Sequence, residues 1–188
     1  MRTLYEKIID VLQVKGPTTL SIIYNELNNF LGEEDTTISM SSIKSVLSRK
    51  KDLFEVCDDL VSIHPDKEIT KLIVEYKVNQ EHSFSIHIDF DLHNYLIQEW
   101  SQFPIVVPPV FNKIEPEEYD ALKMELYRLK IWNWGEELLG IDSVKCTVRL
   151  ITVNASYTVD LVNLQSKEWR HLQNIISLFT DLELLLKY

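Results

Sequence analysis

Residues 42–65 read SIKSVLSRKKDLFEVCDDLVSIHP, and this stretch decides the fold of the N-terminal part of the chain. Ile43, Val46 and Leu47 recur at helical spacing, and Ser39 or Ser41 just ahead can cap the helix they define. Residues 53–56 and 60–63 are short strand-like runs. Cys57-Asp58-Asp59 between them carries the polar residues of a hairpin turn. His64-Pro65-Asp66-Lys67 then reads as a linker.

Working upstream, Leu4, Ile8, Val11 and Leu12 lie at i, i+4, i+7 and i+8, the period of an amphipathic helix over residues 3–15. Gly16-Pro17 ends it. Thr18 or Thr19 can cap a second helix, whose stripe is Ile23, Leu27, Phe30 and Leu31. Gly32 stops that helix, and GEEDTT is a polar loop. Each of these helices has too little apolar face to persist alone in water, so the three are expected to share one core.

Three short helices followed by a β-hairpin within residues 1–66 is the winged-helix order. The 42–65 stretch resembles the end of the HARE-type winged helix and of the related N-terminal domain of the bacterial RNA polymerase delta subunit. The matching residues are Ile43, Leu47, Phe54, Val61 and Ile63, and KGPTTLSIIYNEL resembles the entry to the preceding helix. The likeness covers about a third of the chain. It implies a third helix leading through a Phe into a two-stranded wing, and it implies contact with the transcription apparatus. Beyond the wing the pattern departs, because a second folded domain stands in place of a long acidic tail.

Residues 67–188 read as an α/β domain with a mainly antiparallel sheet and long helices, so the whole is expected to be α+β. Residues 69–78 are strand-like, and Phe84, Ile86, Ile88 and Phe90 alternate with Ser85, His87 and Asp89. Asp91 is placed to cap a helix through Tyr95, Leu96 and Trp100. A proline-rich connector runs from Phe103 to Phe111. Glu115-Pro116 opens a helix with Leu122, Leu126 and Leu129 inside. Residues 144–153 and 157–164 alternate as a hairpin around Asn154-Ala155-Ser156. Ser166 opens a terminal helix striped by Trp169, Leu172, Ile176 and Phe179.

Composition narrows the function classes. The formal net charge is −10, with seven Lys/Arg against eleven Asp/Glu over residues 1–66 and twelve against eighteen over residues 67–188. Both halves repel polyanions at long range, so a nucleic-acid contact must come from a local basic patch. Ser42, Lys44, Ser45, Ser48, Arg49, Lys50 and Lys51, on or just after the third helix, form that patch. In a DNA-binding winged helix this element enters the major groove, where Arg and Lys reach guanine edges or phosphates. The same cations also complement a helix dipole, and Asp52, Glu55, Asp58 and Asp59 follow at once. Four cations would give a log–log salt slope of about −3.6.

Other constellations are weaker. His87-x-Asp89-x-Asp91-x-His93 would put imidazoles and carboxylates on one face of an extended strand, a competent divalent-metal set, or simply a solvated strand face. Trp132 and Trp134, with Trp100 and Trp169, either anchor a partner or fill a core. Cys57 and Cys146 give no metal spacing and no disulfide framework, as in a reducing cytosol. No glycine-built phosphate loop, H-E-x-x-H or G-x-S-x-G occurs. Glu117-Glu118 and Glu136-Glu137 are helix neighbours that point apart, not catalytic dyads. No apolar run of about 18 residues predicts a membrane span, and no signal peptide is read at the start. The expectation is a cytoplasmic, non-catalytic binding protein without cofactor or bound metal. Its third helix would contact DNA or the transcription machinery, with the second domain as an interaction surface. The alternatives are a pure protein-interaction factor (an inhibitor, immunity or polymerase accessory protein) meeting a basic partner, and a small metal-dependent enzyme using His87, Asp89 and Asp91.

Overall fold

A computed structural model of the protein describes residues 2–29, 37–78, 82–101, 111–134, 144–161 and 167–177. Phe30, Leu31, Gly32 and residues 33–36 of the polar loop lie outside those residues. So do residues 103–110, Glu136-Glu137, Leu164, Ser166, Phe179 and the side chains of Trp100 and Trp169. Among the described residues the chain is a mixed α+β protein with five α-helices and two antiparallel sheets. It divides into two compact units, Met1–Glu68 and Ile69–Tyr188.

In the N-terminal unit, α1 (Leu4–Lys15) starts where the Glu6 carboxylate accepts the Thr3 backbone N–H at 2.7 Å, satisfying a donor the helix leaves orphaned. It stops at Gly16, whose φ of +71° is strained for any residue with a Cβ. Residues Thr18–Thr19 (β1) lead directly into α2 (Leu20–Asn29), and the Thr19 hydroxyl accepts the Ile22 N–H at 3.4 Å. Asn28 closes α2 against the approach to the next helix: its side chain receives the Ile38 N–H at 2.8 Å and donates to the Ile38 carbonyl at 3.1 Å. Ser39 then caps α3 (Met40–Arg49) by accepting the Ser42 N–H at 3.1 Å. Ile8, Ile9, Ile23, Ile43 and Leu47 are all buried and supply the shared core.

Strands β2 (Phe54–Cys57) and β3 (Leu60–Ile63) pair antiparallel, joined by Asp58 and Asp59 at φ +47° and +71°. A two-residue turn with both centres left-handed matches the natural twist of a hairpin. The sheet order is β1-β3-β2, because Thr18 and Thr19 pair with Val61 and Leu60. Two threonines between a proline and a helix carry no alternation, so the pairing of β1 is invisible to periodicity.

The C-terminal unit is built on one six-stranded antiparallel sheet of order β7-β6-β5-β4-β8-β9. Its strands are β4 (Ile69–Val78), β5 (His82–Asp89), β6 (Asn94–Ser101), β7 (Phe111–Lys113), β8 (Val144–Thr152) and β9 (Ser156–Leu161). Leu72, Val74 and Tyr76 of β4 face Ile88, Ile86 and Phe84 across one side and Leu150, Val148 and Cys146 across the other. All nine are buried. Helix α4 (Pro116–Leu129) adds Leu122, Leu126 and Leu129, and α5 (Lys167–Ile176) adds Leu172, Ile175 and Ile176. The Tyr127 hydroxyl on α4 accepts the Ile69 N–H at 3.4 Å, holding the helix to the start of β4.

One expected element changes type. Residues 94–101 are a strand, not a helix capped by Asp91. The side chain that organises the reversal is Asp89, whose carboxylate accepts the Asp91 and Leu92 N–H groups at 3.1 and 3.0 Å. An Asx turn and a helix N-cap use the same short side-chain bond to backbone two or three residues on. Pairing of β6 with β5 on one edge and β7 on the other decides between them.

Candidate interaction site

The three buried positions of α3, Ile43, Val46 and Leu47, leave the rest of its circumference to solvent. The seven patch residues divide on that surface. Lys44, Ser48 and Lys51, at i, i+4 and i+7, line a groove of about 530 Å³ between α3 and the β2–β3 hairpin. Ser42, Ser45 and Arg49 fall on a second stripe at i, i+3 and i+7, and all three are exposed. There the Arg49 Nε donates to the Ser45 carbonyl at 3.2 Å and the Ser42 hydroxyl bonds that of Ser39 at 2.8 Å. Lys50 turns away from both stripes, its ammonium 5.3 Å from the centre of the Tyr5 ring on α1.

The groove has a floor and a rim. Leu20, Leu47, Phe54, Val56 and Val61 are its apolar lining. Val56 remains 56% exposed although its neighbours on the same face, Phe54 and Val61, are buried. Lys44 and Lys51 stand on the helix side, and Glu55 and Asp59 belong to the hairpin. Among the described residues none of these four charges has an ion pair. The apolar half of this site escaped sequence reasoning, because Leu20, Val56 and Val61 look like ordinary core positions of three different elements.

The His87–His93 set does not assemble. Strand β5 ends at Asp89, and Asp91 and His93 lie in the turn, His93 at φ +50°. The His87 Nε2 lies 3.1 Å from the Ser85 hydroxyl, while the His93 ring packs 4.3 Å from that of Tyr119. Asp89 is engaged by Lys71 at 2.8 Å. Burial alone would raise the Asp89 carboxyl, but the Lys71 ammonium and the Leu92 and Asp91 N–H groups outweigh it and hold the group below the usual carboxylate range. The same hydrogen bond pushes Lys71 up. Burial lowers His87, with Glu75 opposing and Arg149 adding to the shift. No group of three His, Cys, Asp or Glu side chains is placed to hold a metal among the described residues.

Trp132 and Trp134 are half-buried. Trp132 meets Tyr127 edge-on with centroids 6.2 Å apart, and the Trp134 indole N–H donates to the Leu129 carbonyl at 2.9 Å. Cys146 is buried in the sheet, and burial pushes its thiol far up, whereas Cys57 is exposed beside the hairpin turn. No helix among the described residues is long and apolar enough to cross a membrane. No family model matches the chain, and no curated protein matches it.

Proposed function

We propose that the chain is a non-catalytic binding protein whose N-terminal unit is a winged helix, with β2–β3 as the wing, that engages a protein partner through α3 and the wing. The observation that carries this reading is the groove. It combines an apolar floor with charges of both signs that have no ion-pair partner among the described residues. Surfaces of that make-up match protein interfaces, where apolar contact supplies affinity and charges set orientation. The resemblance of residues 42–65 to the N-terminal domain of the polymerase delta subunit is the ground for seeking that partner in the transcription apparatus, and the C-terminal unit would offer a further interaction surface.

Nucleic acid is the second reading, favoured by the exposed row Ser42, Ser45 and Arg49. Three cations remain for phosphates once Lys50 is held on Tyr5, so the salt slope would be about −2.7, and the acidic hairpin would oppose even that.

The test is capture of interacting protein by the full chain, with and without nuclease, against a Val56→Asp variant. Capture that survives nuclease and is lost in the variant supports the proposal. Capture abolished by nuclease, together with duplex DNA binding that Arg49→Glu removes, replaces it with the nucleic-acid reading.

A further inference from the structure

We infer that the groove between α3 and the β2–β3 hairpin accepts a short peptide segment of a protein partner. That segment presents apolar side chains to the floor, an acidic residue to α3 and a basic residue to the hairpin. The inference rests on the interaction reading above and gives it a ligand class. The floor residues Leu20, Leu47 and Val56 come from α2, α3 and β2, so they converge only in the folded unit. A volume of about 530 Å³ is in the size range of ligand sites, and this one is an open groove rather than an enclosed cavity.

Charge decides the occupant. Lys44 and Lys51 attract carboxylates or phosphates, and Glu55 and Asp59 attract ammonium or guanidinium groups. A nucleic-acid backbone satisfies the first pair and is repelled by the second, with Asp58 adding to the repulsion. A uniformly basic segment has the converse difficulty. A segment carrying one charge of each sign, spaced by apolar residues, meets both rims and covers the floor. Strand β2 is also the edge of its sheet, so an extended segment beside it finds main-chain groups to bond.

The experiment pans a displayed library of random short peptides against the full chain. The expected consensus is an apolar residue or pair with Asp or Glu on one side and Lys or Arg on the other. Selected peptides should bind the Lys44→Glu/Lys51→Glu variant about tenfold more weakly or worse, because repulsion from two glutamates replaces the attraction of two lysines for the acidic side chain. Repanning on that variant should exchange the acidic preference for a basic one. A Lys44→Gln/Lys51→Gln variant, which adds no new charge, should lose the acidic preference alone, and circular dichroism of both variants should match wild type. Failure to enrich, a consensus without charges, or a preference unchanged by the charge swap would overturn the inference. If Val56→Asp still abolishes partner capture while the library yields no such consensus, the interaction reading stands and the peptide inference falls. Displacement of the selected peptides by duplex DNA at moderate salt would overturn both.

Discussion

At the tip of β2–β3, Asp58 and Asp59 adopt left-handed backbone conformations, and their carboxylates have no partner among the described residues. At the tip of β5–β6, the Asp89 carboxylate takes two backbone N–H groups and the Lys71 ammonium. Both hairpins turn at aspartate, but only the second uses the charge to hold its own fold. The first chooses aspartate where glycine or asparagine would serve the backbone as well or better. A carboxylate consumed by its own turn is structural. One left over, beside an apolar groove and lysines with no ion pair among the described residues, is available to something else. The same contrast separates the two sheets: the centre of the large one is closed on a continuous apolar face, whereas the small one leaves Val56 open at its tip.

The hardest test of that contrast removes side chains from the two sheets. Leu72→Ala, at a fully buried position in the centre of the large sheet, should cost about 3 kcal/mol in denaturant unfolding. Val56→Ala should stay within about 0.5 kcal/mol, the usual range for an exposed site. Comparable losses at both positions would show that Val56 belongs to the fold rather than to a surface.

The aspartates themselves come next. Asp89→Ala removes a charge-assisted turn and should cost about 2 kcal/mol, while Asp59→Asn keeps the left-handed preference and should be neutral within about 0.5 kcal/mol. The pH profile sharpens this pair. Because the folded Asp89 lies below its ordinary value of 3.8, its contribution is present above that pH and fades as the pH falls through the folded value. Asp89→Ala should therefore flatten the acid limb of a stability titration. His87, also lowered, works in the next window up: its contribution is present above about pH 6.5 and is lost as acid forces a proton onto a partly buried ring.

Smaller effects belong to local caps. Ser39→Ala should cost about 1 kcal/mol by removing the hydroxyl that accepts the Ser42 N–H at the start of α3. Asp59→Gly should gain about 0.5 kcal/mol, since glycine carries no Cβ penalty at φ +71°. The gain should come with weaker binding of a partner that reads the hairpin charge, which thermal melts and the peptide assay can separate. A destabilised Asp59→Gly protein would mean that the Asp59 carboxylate supports the hairpin after all.

Much of the architecture is local and therefore legible from residue order. Helix α1 announces itself by its stripe and by Gly16, α3 by Ser39 and the Ile43/Val46/Leu47 spacing, and β2–β3 by two apolar runs around paired aspartates. The periods of 3.6 and 2, the caps and the turns each depend on a few neighbouring residues, so sequence by itself determines them. The same reasoning identified the seven residues of α3 and its C-terminal end, but not how they divide. What only the tertiary structure decided required partners distant in the chain. Residues 94–101 became a strand because β5 and β7 flank them, and Thr18–Thr19 joined a sheet because β3 lies alongside. Lys50 went to Tyr5, and Lys44 and Lys51 came to border an apolar groove whose floor is assembled from α2, α3, β2 and β3. Propensity and pattern set the menu of local structures, but hydrogen-bond pairing and shared burial across the chain choose from it, and a surface made of several elements exists only after that choice.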